Sequence, residues 1–397
     1  KQSKKQSMKK LLFLVVCVFS TLTTSASHLL GGYIQAVQRN LSDTVDLQVV
    51  LYSDPNGISS PTTLYLNEYK IVNGAYTTSG NVTLSQTSST TWQGFNVYVY
   101  NTTITRNAGN YRWVYTNCCR GMLSNASSAM NSNFTIGLDY RKTAVGVPNS
   151  APILLNQLPM KWVVNDTTQT FIFAYDVDGD SVIVEKDDAL NQYSTTGTFV
   201  PLSPFSQLDN YGTYYVDVSG LVIWGPTSSG VYGTGYKISE YRNGSLIGVN
   251  RIQQVYSVVP GSTPSIPSPA VQVNHDLVNG DSTIITINGV SNATTTELFV
   301  ENVDMTQTSD STWSLNNLQI GTYRALSRVT NGTAVMDYPF TFKVVSTIGI
   351  EENVKYQSTS YKVYDWNGRY IGTDLRNLRG LYIVRYDNGI SEKIFIQ

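Results

Sequence analysis

The chain has 397 residues, with 27 lysines and arginines against 28 aspartates and glutamates and a formal net charge of −1. Only 14% of its residues are charged, a balance that argues against a broad basic face for nucleic acid. The 27 tyrosines and 30 glycines, among many Thr, Ser and Asn residues, suit an all-β protein with hydroxyl-rich solvent faces and frequent turns.

Met8 reads as the true start, with Lys1–Ser7 upstream of it. Lys9 and Lys10 make a basic n-region, Leu11–Leu22 a short apolar core, and Thr24-Ser25-Ala26 a run of small residues for cleavage. Residues 8–26 are therefore expected to be a signal peptide, too short for the roughly 20 apolar residues of a membrane span. Val16 is a poor neighbour for lipidation of Cys17, so a lipoprotein box is not expected. Cleavage after Ala26 would leave a chain beginning at Ser27, with no transmembrane span expected in it.

Residues 27–145 read as a first β domain. In Thr44–Tyr52, Val45, Leu47, Val49 and Leu51 alternate with polar neighbours, as in a half-buried strand. Asp54-Pro55-Asn56-Gly57 ends it with four turn formers. Phe95–Tyr100, Tyr111–Tyr115 and Phe134–Asp139 supply further strands, and no stretch keeps a helical period with caps. Tyr111, Trp113 and Tyr115 share one strand face. Packing against a second sheet is the commoner use of such a stripe, and a ligand-binding surface that stacks on sugar rings is the functional candidate. Cys118 and Cys119 are adjacent, which leaves a vicinal disulfide, two buried thiols or an intermolecular bridge open. With only His28 and His275 to add, zinc is not expected.

Gly146–Pro152 is rich in turn formers and reads as the boundary of a second β domain, 146–259. Its strands are expected at Thr170–Tyr175, Val182–Glu185, Gly220–Trp224, Gly235–Tyr241 and Arg251–Val258, with Trp224 in the core. Between the first two lies Asp176-Val177-Asp178-Gly179-Asp180-Ser181. Carboxylates at Asp176, Asp178 and Asp180, bent by a glycine, can converge on one calcium ion, which takes about six to eight oxygens. The loop is not an EF-hand, whose glycine is sixth rather than fourth. The competing reading is a hairpin whose aspartates cap backbone amides. Glu185, Asp187 and Asp188 are close enough in sequence to add ligands.

Residues 260–269 hold four prolines and read as a semi-rigid linker. Residues 270–345 follow, with strands expected at Thr283–Ile287, Glu297–Val300, Gly321–Val329 and Tyr338–Val345, a length that suits a small immunoglobulin- or fibronectin-like sandwich. In the tail, 346–397, Asn367-Gly368 suits a type I′ turn, Leu381–Tyr386 is strand-like, and Asp387-Asn388-Gly389 marks a second turn. The expected fold class is thus all-β, a tandem of β-sandwich domains with a small β tail. No nucleophile elbow, phosphate loop or zinc-protease helix is present in the sequence, so the chain is not expected to be an enzyme; a pair of distant carboxylates acting on glycans stays open.

The ordered residues of the tail, Val363-Tyr364-Asp365, Asn367-Gly368-Arg369, Arg379–Val384 and Lys393–Ile396, resemble the C-terminal sorting domain of proteins exported by the type IX secretion system of Bacteroidetes. Ala26–Ile34, Asn117-Cys118-Cys119-Arg120, Asn149–Pro152, Tyr175–Ser181, Gly220–Trp224 and Glu240–Gly244 are similar, in the same order, to a Bacteroidetes surface group that includes gliding-motility-associated proteins. The resemblance covers about Ala26–Arg251 and the tail. It implies export to the outer surface or medium, the type IX machinery as a partner of the tail, and a non-catalytic binding or adhesion role toward a polysaccharide or another cell surface. A glycan-active enzyme or its accessory, and a purely structural envelope component, are the alternatives.

Overall fold

The computed structural model describes His28–Ile396 apart from residues 40–41, 58–59, 157–160, 195–196, 264–270, 274–276, 279–282, 288–289, 317, 333, 346–360, 365–368, 373–379 and 387–390. The expected signal peptide, most of the proline-rich linker and both tail turns lie outside these residues. Among the described residues, helix is confined to the short 3-10 turns Ala129–Asn131 and Leu208–Tyr211. No described helix is long and apolar enough to cross a membrane, a statement that does not address β-barrels.

Seven strands come first: β1 (Leu29–Gln38), β2 (Thr44–Ser53), β3 (Thr63–Val72), β4 (Ala75–Trp92), β5 (Phe95–Thr105), β6 (Gly109–Asn117) and β7 (Phe134–Lys142). Short strands follow, β8 (Ile153–Leu154), β9 (Lys161–Val163), β10 (Thr168–Phe171) and β11 (Ala174–Tyr175). Then come β12 (Ser181–Asp187), β13 (Leu190–Tyr193), β14 (Phe199–Pro201), β15 (Gly212–Val216), β16 (Leu221–Pro226), β17 (Gly230–Arg242) and β18 (Ser245–Val259).

The large sheet runs β1-β2-β5-β4-β3-β6-β7-β18-β17-β12, and β18 also pairs with β1. Eight strands therefore close a circuit, seven from the expected first domain and β18 from the expected second. Closure brings Gly32 opposite Gln253. A Cβ on Gly31 would lie 2.9 Å from the Gln253 carbonyl oxygen, and one on Gly32 2.5 Å from that of Val50, so only glycine lets the backbones approach here. The boundary expected at 145/146 is thus corrected: the long β17–β18 hairpin carries the sheet across it.

Two cores result from the alternation of side chains across this sheet. One cluster takes Val45, Leu47, Val49 and Leu51 of β2 together with Leu64, Leu66, Tyr100, Trp113, Ile136 and Leu138. The other takes Val50 and Tyr52 of the same strand together with Trp162, Trp224, Tyr236 and Tyr256. β2 is buried on both faces, which its alternating pattern alone did not indicate.

The stripe of Tyr111, Trp113 and Tyr115 falls in the first core, at 4, 0 and 5% exposure. Trp113 Nε1 donates to Glu68 Oε2 at 2.9 Å, and its ring lies 6.0 Å from Tyr111 and 5.2 Å from Tyr140. The ligand-binding assignment of these three residues is therefore corrected, because closure turns their face inward. Trp224 is buried as expected, packed edge-on to Trp162 and Tyr232.

After the linker come β19 (Val271–Val273), β20 (Leu277–Val278), β21 (Thr283–Ile287), β22 (Thr295–Val300), β23 (Asp304–Ser309), β24 (Thr312–Asn316), β25 (Gly321–Thr330) and β26 (Val335–Val345). They form two four-stranded sheets, β19-β21-β24-β23 and β20-β26-β25-β22, the layer pattern of a small sandwich. The chain divides into two compact units. The larger unit joins Ile284–Leu315 and Tyr323–Phe342 to the chain up to Val273; the smaller holds Asn274–Thr283, Asn316–Thr322 and Lys343–Gln397.

The tail forms its own antiparallel sheet. Its strands are β27 (Tyr361–Tyr364), β28 (Tyr370–Gly372), β29 (Gly380–Tyr386) and β30 (Ser391–Ile396), in the order β28-β27-β29-β30. Val363 and Val384 sit opposite each other on the central pair and are buried.

Candidate functional site

The aspartate loop connects β11 to β12 and turns at Gly179, where φ is +87°. Asp176 Oδ1 accepts the backbone N–H groups of Asp178 at 2.9 Å and Asp180 at 3.1 Å, closing the loop on its own first carboxylate. Asp178 points elsewhere: its Oδ2 accepts the Ser150 N–H at 2.5 Å. Asp180 receives the fork of Arg242, with Nε at 2.9 Å and Nη2 at 2.6 Å, while Arg242 Nη1 donates to the Pro148 carbonyl at 3.2 Å. The loop and β17 thereby grip the joint segment 148–150 from two sides.

β12 pairs with β17 so that Val182 faces Glu240. This register brings Glu240 to the loop across some sixty residues of chain. Ligand oxygens of Asp176, Asp180 and Glu240 lie within 4.8 Å of one another. Glu240 has no exposed surface, and neither of its oxygens meets a hydrogen-bond donor. Asp176 Oδ2 is likewise buried without a donor.

The electrostatics follow from this crowding. Burial pushes the Glu240 carboxyl up to about 9, helped by the charges of Asp176 and Asp180. Burial also raises Asp176 to about 6, against the two backbone N–H groups that favour its charged form.

Of the expected calcium ligands, the structure brings Asp176 and Asp180 together and sends Asp178 to a backbone amide. The third carboxylate is Glu240, which sequence reasoning missed because no local spacing connects it to the loop. Glu185, Asp187 and Asp188 are directed to other partners: Lys237 at 2.8 Å, Arg251 at 2.7 Å and the Gln207 amide. Cys118 and Cys119 are joined to each other as a vicinal disulfide, Cys118 exposed and Cys119 half-buried, so the reading as two buried thiols is corrected.

A separate open cleft of about 470 Å³ is lined by His28, Leu30, Phe95, Met122, Met130 and Lys161, among others. Met122 and Met130 are 71% and 53% exposed there. The volume falls within the range of about 300–1,000 Å³ common for small-ligand sites.

No family model and no curated protein matches the chain. Among solved structures, a chimeric titin Z1Z2 carrying a peptide from decorin aligns at 14% identity over 50% of this chain and 98% of its own, with a TM-score of 0.16. The four N-terminal Ig domains of Dscam1 isoform 8.4 align at 9% identity over 79% of this chain and 72% of theirs, and the BSP domain of a biofilm-associated protein at 9% over 94% and 97%, both with TM-scores of 0.16. Likeness at these scores carries no argument about fold or role, and both rest on the chain's own residues.

Proposed function

We propose that this chain is an exported, non-catalytic binding protein of the outer cell surface or medium, which engages an extracellular polysaccharide or cell-surface glycan through the cleft beside Met122 and Met130. The cleft carries the reading. It joins an apolar wall (Leu30, Phe95, Met122, Met130) to polar groups at its rim (His28, Lys161), a mixture that suits the apolar faces and hydroxyls of a sugar chain. Exposed methionines add adaptability, since their flexible thioethers repack around a ligand.

Two further features support the reading. The tail that resembles a type IX sorting domain forms a small antiparallel sheet of its own, as an export signal read by the type IX machinery would. The clustered carboxylates Asp176 and Glu240 are buried and Asp180 is half-buried, so this cluster offers no open face that competes with the cleft for a polymer.

The test is a glycan array probed with the wild type and with a Met122→Asp, Met130→Asp double variant. Binding of a glycan by the wild type, lost in the variant, is expected. A wild type that binds nothing on arrays or on whole cells would sink the binding role, and release of reducing sugars from a bound glycan would replace it with an enzyme.

A further inference from the structure

We propose that Asp176, Asp180 and Glu240 form a calcium site that fastens the joint segment Pro148–Ser150 to the β12–β17 pair. The ligand set differs from the three aspartates of the loop: it draws two residues from the loop and one from a distant strand, and it leaves Asp178 out.

Three carboxylate oxygens are buried here without a donor: Asp176 Oδ2 and both oxygens of Glu240. A buried polar atom left without a partner is destabilising, and more so when it is charged. An ion pair does not relieve them, because Arg242 is already engaged by Asp180 and the Pro148 carbonyl. Two further sets of groups near Glu240 bring no cation. They are Tyr140 from β7, whose hydroxyl donates to the Asn149 carbonyl, and the aspartates of the loop. A proton shared between Glu240 and Asp180 is one resolution, and it leaves Asp176 Oδ2 without a partner. A divalent cation satisfies all three oxygens together.

The chemistry of the donors selects among cations. All are hard carboxylate oxygens, which suit calcium or magnesium rather than zinc. Oxygens within 4.8 Å of each other can share an ion whose bonds are about 2.3–2.6 Å long, the calcium range. Glu240, with both oxygens free, can bind in the bidentate manner that calcium accepts, whereas magnesium needs a regular octahedron and gives up its water reluctantly. Space for the Glu240 carboxylate is made by Gly248 opposite it on β18, where a Cβ would lie 2.5 Å from Oε2. The structural consequence follows from the connections: Asp178 holds the Ser150 N–H and Arg242 holds the Pro148 carbonyl, so an ion that locks the loop to β17 also locks the joint.

The experiment is calorimetric titration of calcium into the full chain after chelator treatment, for the wild type, Glu240→Gln and Asp178→Asn. Glu240→Gln resembles the protonated side chain in shape and charge, so it folds. One calcium per chain is expected for the wild type, with proton release visible as a buffer-dependent enthalpy and a rise in thermal midpoint. Glu240→Gln loses the isotherm and Asp178→Asn keeps it. A wild type with neither heat of binding nor a calcium-dependent midpoint would overturn the site. So would a Glu240→Gln variant that still binds, or a loss in Asp178→Asn equal to that in Glu240→Gln.

Discussion

Arg328 and Asp337 form a fully buried bidentate pair, with Nε at 2.7 Å and Nη2 at 2.8 Å from the two carboxylate oxygens. Asp337 Oδ2 also accepts the backbone N–H of Phe171 at 2.8 Å, so the pair reaches from the β25–β26 hairpin to β10 across the proline-rich segment. Removing one partner strands the other charge in the interior. We expect Asp337→Ala to destabilise the protein by about 3–5 kcal/mol, while replacing both residues with apolar side chains of similar volume costs much less. Denaturant unfolding of the two variants measures the difference.

Trp113→Ala should behave as a core truncation. The ring is fully buried among Tyr111, Tyr140 and Glu68, and its loss opens a cavity and leaves the Glu68 carboxylate short of a donor. A loss of about 3–5 kcal/mol is expected. Unchanged stability together with lost glycan binding would return the stripe to the surface.

The buried carboxylates predict an unusual pH dependence in chelator. Glu240 and Asp176 have native pKa values raised to about 9 and about 6, from ordinary values of 4.5 and 3.8. The native state therefore holds protons that the unfolded chain releases, and stability falls as pH rises. The contribution is fully present below the ordinary values, fades as soon as pH rises past them, most steeply up to about 6 while both groups keep their native protons, and is gone once pH passes about 9. Glu240→Gln should flatten the upper part of this slope. Thermal midpoints across the range, with and without calcium, read it directly: calcium competes with the proton, so its stabilisation should grow as pH rises.

Deleting Tyr361–Gln397 tests the export proposal without touching the larger unit. The truncated chain should accumulate in the periplasm and keep its glycan affinity and unfolding transition. Surface display equal to that of the full chain would remove the tail as an address.

Much of the architecture was legible from local pattern. Val45, Leu47, Val49 and Leu51 alternate because one strand face must leave water, and the structure places all four in one core. Leu381–Tyr386 announced itself by branched and aromatic residues, and it pairs with Tyr361–Tyr364 in the tail sheet. The same alternation stayed silent about the opposite face of β2, where Val50 and Tyr52 enter a second core. A period of two separates the faces of a strand but does not say what covers each one.

The candidate site divides along the same line. That Asp176, Asp178 and Asp180 lie on a tight, glycine-bent turn was readable from the residues alone, since turn chemistry is local. Which carboxylates converge was settled by pairing between distant strands. The β12–β17 register delivered Glu240, and the joint's Ser150 N–H drew Asp178 away. Closure of the sheet between Gly32 and Gln253 likewise decided that Tyr111, Trp113 and Tyr115 serve packing. Both outcomes depend on pairing between segments far apart in the chain, where the partner of a strand is chosen by backbone hydrogen bonds and shared burial rather than by spacing in sequence.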